Sequence, residues 1–266
     1  MLQFIVFFIV SASFVLPCLA QTDTQARAVN TSRMSIGVVG GATLNSFGSG
    51  TRVQTDTNYG VGPYYDTQSG MGWMIGVDFG APLSDAPSWK RSLDLRLSFA
   101  TANLDLVKQG VQLPSLDEDG DTVYSILDHS GTVSYSVIDL APSLLIGIGN
   151  TPFSFSIGGS VGLIVSSNMK ETLTLINPLN ATFDPSFCPE CEYSSDQRSV
   201  VITDGDIEGV ASVQATAFAG VEYLLALEDV EFLSTLRYRL GLTDISTAYN
   251  MRVNALELSL AMRVYL

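Results

Sequence analysis

Apolar residues in this chain recur at every second position over many short segments, and that period of two restricts the fold more than any other feature. Successive side chains of a strand point to opposite faces, whereas a helix repeats every 3.6 residues. The segment GWMIGVDFGA sets Trp73, Ile75, Val77 and Phe79 against Gly72, Met74, Gly76, Asp78 and Gly80. SLDLRLSFA opposes Leu93, Leu95, Leu97 and Phe99 to Asp94, Arg96 and Ser98. FSFSIGGSVGLIV does the same with Phe153, Phe155, Ile157, Val161 and Leu163 against Ser154, Ser156, Gly158, Ser160 and Gly162. At the C-terminus Leu256, Leu258, Leu260, Met262, Val264 and Leu266 alternate with Glu257, Ser259, Ala261, Arg263 and Tyr265.

Four weaker segments, Met34 to Phe47, Thr132 to Ile148, Gly209 to Tyr223 and Glu231 to Thr243, bring the expectation to about eight antiparallel strands. Past the N-terminus no apolar run approaches the ~20 residues of a membrane-crossing helix. Three connections are tight: Pro82 to Arg91, Gly149 to Pro152, and Leu225 to Val230. Four are long or polar: Gly48 to Gly70, Asn103 to Gly131, Ser167 to Glu208, and Asp244 to Asn254. Within them Glu171 to Ile176 and Ser199 to Thr203 again look strand-like, so the loops are expected to continue as hairpins. Short turns at one end and long loops at the other suit an all-β, closed transmembrane barrel with periplasmic turns and extracellular loops.

Composition decides which face looks outward. Charged residues are 15% of the chain, against roughly 25% in soluble domains, and only Lys90, Lys108 and Lys170 supply lysine. The polar face is mostly Gly, Ser and Ala, too small for a water-facing wall and suited to a narrow interior. Its charges come in both signs: Asp78, Asp94, Asp139, Glu222 and Glu257 against Arg96, Arg237, Arg239 and Arg263. Eight strands leave a lumen just wide enough for side chains, and a buried unpaired charge is costly. These nine residues are therefore expected to form a lumen ion-pair network. Trp73, Trp89, Phe153, Tyr223 and Tyr238 are candidates for interfacial girdles, with outer-membrane lipid as the surrounding partner.

The N-terminal twenty residues hold an apolar stretch, Phe4 to Leu16, then Cys18-Leu19-Ala20 before Gln21. The pattern is that of a signal peptide with a small-residue cleavage site, although no basic residue precedes it. A lipoprotein signal acylated at Cys18 is the alternative. The expected organisation is a leader over 1–20, a short segment over 21–33 and the barrel over 34–266. Export leaves Cys188 and Cys191 in an oxidising setting, where a small loop disulfide is expected. A net charge of -14 argues against nucleic acid as a partner.

The glycine-rich SIGVVGGATLNSF, the pair GWMIGVDFGAPLS and SLDLRLSFA, the segment VIDLAPSLLIGIG with Pro142 inside it, and a C-terminus ending in mid-strand carry a family resemblance. From about Met34 to Leu266 the chain resembles the OmpA/OmpX-like small barrels of diderm bacteria, and most of all the PorT-like outer membrane protein beta-barrel domain family. The resemblance implies an outer-membrane location, a monomer, and insertion by the barrel-assembly machinery. It departs at Leu266, where such families usually end on an aromatic residue, and it carries no expectation of peptidoglycan anchoring.

Chemistry is harder to find. The single histidine, His129, lies beside Asp128 and Ser130 and is expected as an exposed loop residue, since adjacency in sequence makes no triad. The acidic run Asp117-Glu118-Asp119-Gly120-Asp121 and the shorter Asp204-Gly205-Asp206 lack calcium-loop spacing and are expected as solvated loops. Sequons at Asn30 and Asn180 matter only in a eukaryotic secretory setting. With no catalytic, cofactor or metal residues assigned, the expectation is a non-enzymatic barrel with a structural or surface-binding role through its acidic loops. A porin-like or small-solute transport barrel is the alternative, and a lipid-modifying barrel enzyme a further one.

Overall fold

The computed structural model describes residues 33–47, 67–84, 91–116, 122–149, 151–186, 188–227, 229–248 and 251–266. The leader with Cys18, the segment 21–32 with the Asn30 sequon, Trp89 and the acidic run 117–121 lie outside these residues, as does most of the connection expected from Gly48 to Gly70. Among the described residues ten strands form: β1 (Ser35–Phe47), β2 (Thr67–Ser84), β3 (Arg91–Leu116), β4 (Thr122–Gly147), β5 (Phe153–Asn177), β6 (Glu192–Tyr193), β7 (Ser199–Gly205), β8 (Val213–Leu227), β9 (Val230–Gly241) and β10 (Val253–Tyr265). They pair in the order β4-β3-β2-β1-β10-β9-β8-β5, and β4 pairs again with β5. Eight strands thus close an antiparallel barrel, and closure removes the unpaired edges of an open sheet. No described helix is long and apolar enough to cross a membrane.

Register follows the alternation read from the sequence. Val38 of β1 lies opposite Val77 of β2 and Met262 of β10, and all three side chains are exposed. One residue further along, Val39 and Ala261 are buried. Outward apolar side chains run from Ile36 to Leu44 on β1, Met71 to Val77 on β2, Leu93 to Leu97 on β3 and Phe153 to Leu163 on β5, and they continue on β9 and β10. The spans on β1 and β5 match the ~9–11 residues of a strand crossing a bilayer. Pro142 has no N–H to donate, and the pairing of β4 with β5 is interrupted between Leu140 and Ser143.

Strand length is where the fold departs from expectation. β3 and β4 run for 26 residues each and β5 for 25, against 13 for β1 and 12 for β9. Much of the expected Asn103 to Gly131 loop is therefore strand, with Lys108 opposite His129 in a β3–β4 ladder. The expected continuation of the Ser167 to Glu208 connection as hairpins is present, because β5 carries β7 on one edge and β7 carries β6. One wall of the barrel rises well beyond the other as a tall sheet. Of the three connections expected to be tight, β4 to β5 is short, as is β8 to β9, where Leu227 already faces Val230, and most of Pro82 to Arg91 lies outside the described residues.

Candidate functional site

The lumen is filled in two layers. Toward the short-turn end every expected ion-pair residue points inward, and four guanidiniums organise the carboxylates. Arg263 lies 3.0 Å from Asp78 and 3.4 Å from Glu231, and it also contacts Asp94. Glu231 additionally accepts from the Ser35 hydroxyl at 3.2 Å and the Tyr265 hydroxyl at 2.8 Å. Arg96 bridges Asp78 at 3.2 Å and Glu257 at 2.6 Å, while Ser259 donates to Glu257 at 3.0 Å. Arg239 joins Asp139 at 2.5 Å to Glu257 at 3.5 Å and donates to Ser160 at 2.7 Å. Arg237 pairs with Glu222 at 2.6 Å, and its guanidinium lies 4.9 Å from the Phe218 ring centre.

Glycines make room for these side chains. A Cβ on Gly220 would come within 2.6 Å of the Arg237 Cγ, and one on Gly158 within 2.6 Å of the Phe218 ring. Gly158 lies directly across from Phe218, and Gly220 across from Arg237. The small residues of β5 and β8 are thus the floor on which one aromatic ring and one guanidinium lie. Glu231 escaped the sequence reading, although it shares the parity of Arg237 and Arg239 along β9 and could have been found from that.

Toward the long-loop end the interior turns apolar, contrary to the expectation of glycine, serine and ions throughout. Phe47, Leu104, Leu106, Val133, Met169 and Val253 meet Ile207, Ile245 and Met251 from the connections between β7 and β8 and between β9 and β10. Leu106, Val133, Ile245 and Met251 are wholly buried. A bridge from Ser246 to Val210 ties the two connections together, and a second, from Ser246 to Met251, closes the β9–β10 connection on itself. Between the ionic and apolar layers lies a void of about 50 Å³ beside Tyr135, Asp139 and Arg239, too small for a channel.

His129 is not the exposed loop residue expected. It sits in β4 with its side chain inward, 8% exposed, and its Nδ1 lies 3.4 Å from Oε1 of the buried Glu171. Extension of β3 and β4 past the predicted strands turns this position from loop to wall. Asp204, next to last in β7, accepts from Lys170 at 2.9 Å, and that hydrogen bond holds the exposed ammonium above the ordinary lysine range.

The segment between β5 and β7 is built on Arg198. Its guanidinium donates to the carbonyls of Leu175, Ile176, Pro178, Leu179 and Ala181. Cys188 and Cys191 are joined as a disulfide, and Tyr193 donates its hydroxyl to the Cys188 carbonyl at 3.2 Å. The Ser194 hydroxyl and the Arg198 N–H, both donating to Asp196, hold its carboxyl below the ordinary carboxylate range.

No protein-family model matches the sequence, and no curated protein matches it. Among solved structures the chain is similar to Neisserial surface protein A, at 11% identity and a TM-score of 0.34 over 88% of this chain and 97% of that one. It is also similar to Ail, the attachment invasion locus protein of Yersinia pestis, at 9% identity and a TM-score of 0.30 over 87% and 99%. For the outer membrane protein OprG of Pseudomonas aeruginosa the identity is 11% and the TM-score 0.33 over 88% and 96%. At these scores the likeness adds nothing to what strand pairing establishes.

Proposed function

We propose that this chain is a non-enzymatic outer-membrane barrel of the OmpA/OmpX-like, PorT-like kind, whose work is done by the tall sheet and loops it displays outside the cell. The observation that carries this reading is the inversion of polarity across the wall. Leu258 is 51% exposed while its neighbours Glu257 and Ser259 are 1% and 4% exposed. A water-facing barrel hides such leucines, whereas in hydrocarbon the exposed apolar row is favourable and a closed ladder pairs backbone groups that lipid cannot satisfy. Outer-membrane lipid is then the solvent of the belt, and the barrel-insertion machinery its route in.

The filled lumen favours display over transport. An ionic layer and an apolar layer lie in series, so a solute would have to break buried salt bridges and then displace Ile245 and Met251. Rigid walls that carry polar loops are a usual setting for recognition, which supports surface binding or adhesion as the role. Refolding into detergent and comparing unheated with boiled samples by gel electrophoresis tests the barrel reading, with a shift in mobility expected. In planar bilayers the protein is expected to give no stable conductance step; a reproducible ohmic channel would replace display with a porin role.

A further inference from the structure

We propose that a recess on the outer wall formed by β2 to β5, just beyond the apolar belt, binds the neutral sugar headgroup of a membrane glycolipid. This rests on the membrane reading given above. Three neighbouring strands change chemistry at one height. On β3 the outward row passes from Leu97 and Phe99 to Thr101 and Asn103, on β4 from Ile138 to Ser136 and Ser134, and on β5 from Leu163 and Val165 to Ser166 and Asn168.

The wall is also bent there. Ser136 lies opposite Ser166 but Val137 opposite Ile164, so Val165 is an extra residue in β5. Such a bulge bends the strand and raises its twist. On the other edge of β5 the pairing with β8 ends at Leu163 and that with β7 begins only at Met169. The result is a recess of about 270 Å³ bordered by Trp73, Thr101, Asn103, Ser134, Ser136 and Asn168.

Apart from the Trp73 indole N–H, which only donates, every polar side chain on that border is a hydroxyl or a carboxamide, able both to donate and to accept. The lining carries no charged side chain, so a phosphate or sulfate would find no cation, and a chain of net charge -14 repels it at long range. A sugar ring presents hydroxyl edges that suit Asn103, Ser134 and Asn168, and a C–H face that suits an indole. Trp73 is 50% exposed and held at a tilt against Phe99, with ring centres 5.6 Å apart. Immediately below run Ile75, Leu97 and Ile138, so a sugar seated here has its acyl chains on the belt. That continuity selects a lipid-linked sugar over a free one.

The test uses the full chain with Trp89→Phe, which leaves Trp73 as the single tryptophan. It is placed in phosphatidylcholine nanodiscs with increasing digalactosyldiacylglycerol. A saturable change in Trp73 fluorescence is expected. Asn103→Ala with Asn168→Ala should move its midpoint about tenfold, the size of two lost hydrogen bonds. Trp73→Leu, which keeps the belt apolar, should lose the glycolipid in native mass spectrometry. The same response in phosphatidylcholine alone, an unmoved midpoint in the double variant, or equal binding of free digalactose would overturn the proposal. Flotation with pure phosphatidylcholine vesicles is scored separately. Failure there removes the membrane reading, and failure of the glycolipid titration with flotation intact removes the sugar site alone.

Discussion

At the scale of single residues, Glu257 holds the lumen together, because among the described residues it alone joins Arg96 to Arg239. Removing one partner of a buried ion pair leaves a charge uncompensated and typically costs about 3–5 kcal/mol. Glu257→Ala should therefore lower the unfolding free energy of the detergent-folded barrel, read from urea titration, by that order, and Glu257→Gln, which retains a hydrogen-bonding carbonyl, by less. The residue types and parity of nine lumen members were legible in the sequence. Phe218 was not, because it is a bulky apolar residue on the polar face, and only its position over Gly158 explains why the lumen accepts it. His129 was misplaced for a related reason: its neighbours alternate weakly, so the strand that buries it ended too early on paper.

Asp196 gives a prediction in pH. Its folded-state carboxyl titrates below the ordinary value of 3.8, so ionisation favours the ordered loop above that pH, and the contribution is lost as pH falls through the lowered value. Amide exchange across 194–199 should stay slow from neutrality to about pH 4 and speed up below 3.8, beyond the intrinsic pH trend. Asp196→Asn should flatten the response.

At the scale of elements, the segment between β5 and β7 that the tall β3–β4–β5 wall carries is expected to be separable from the barrel. Arg198 gathers five carbonyls that would otherwise face water unevenly, and the disulfide closes only a short loop. Reducing Cys188–Cys191 should speed proteolysis between 178 and 191 while leaving the gel shift of the barrel unchanged. Arg198→Ala should do the same more strongly. If either change abolished the gel shift, the extension would be part of the folding unit. Strand positions within the belt were readable because lipid and lumen impose opposite polarity on alternate residues. Above the belt both faces contact protein or water, so alternation weakens, and 26-residue strands looked like loops.

At the scale of the whole molecule, the account predicts a depth profile. Arginine at the middle of a lipid-facing strand costs about 2–4 kcal/mol, falling to about 0–1 near the interface. Leu258→Arg should therefore destabilise the refolded barrel in vesicles far more than Ser134→Arg, although both positions point outward. The apolar seal of Ile207, Ile245 and Met251 was hidden from sequence reading, because it is assembled from connections far apart in the chain. Eight strands and their order of polarity were visible; the closing of the long-loop end was not.

The most direct measurement is quenching by lipids with brominated acyl chains, in proteins whose native tryptophans are replaced by phenylalanine and which carry one new tryptophan, Leu258→Trp or Ser134→Trp. The account predicts strong quenching at 258 and little at 134. Equal quenching at both, or none at 258, would show that the leucine row does not face hydrocarbon and would contradict the membrane-spanning barrel.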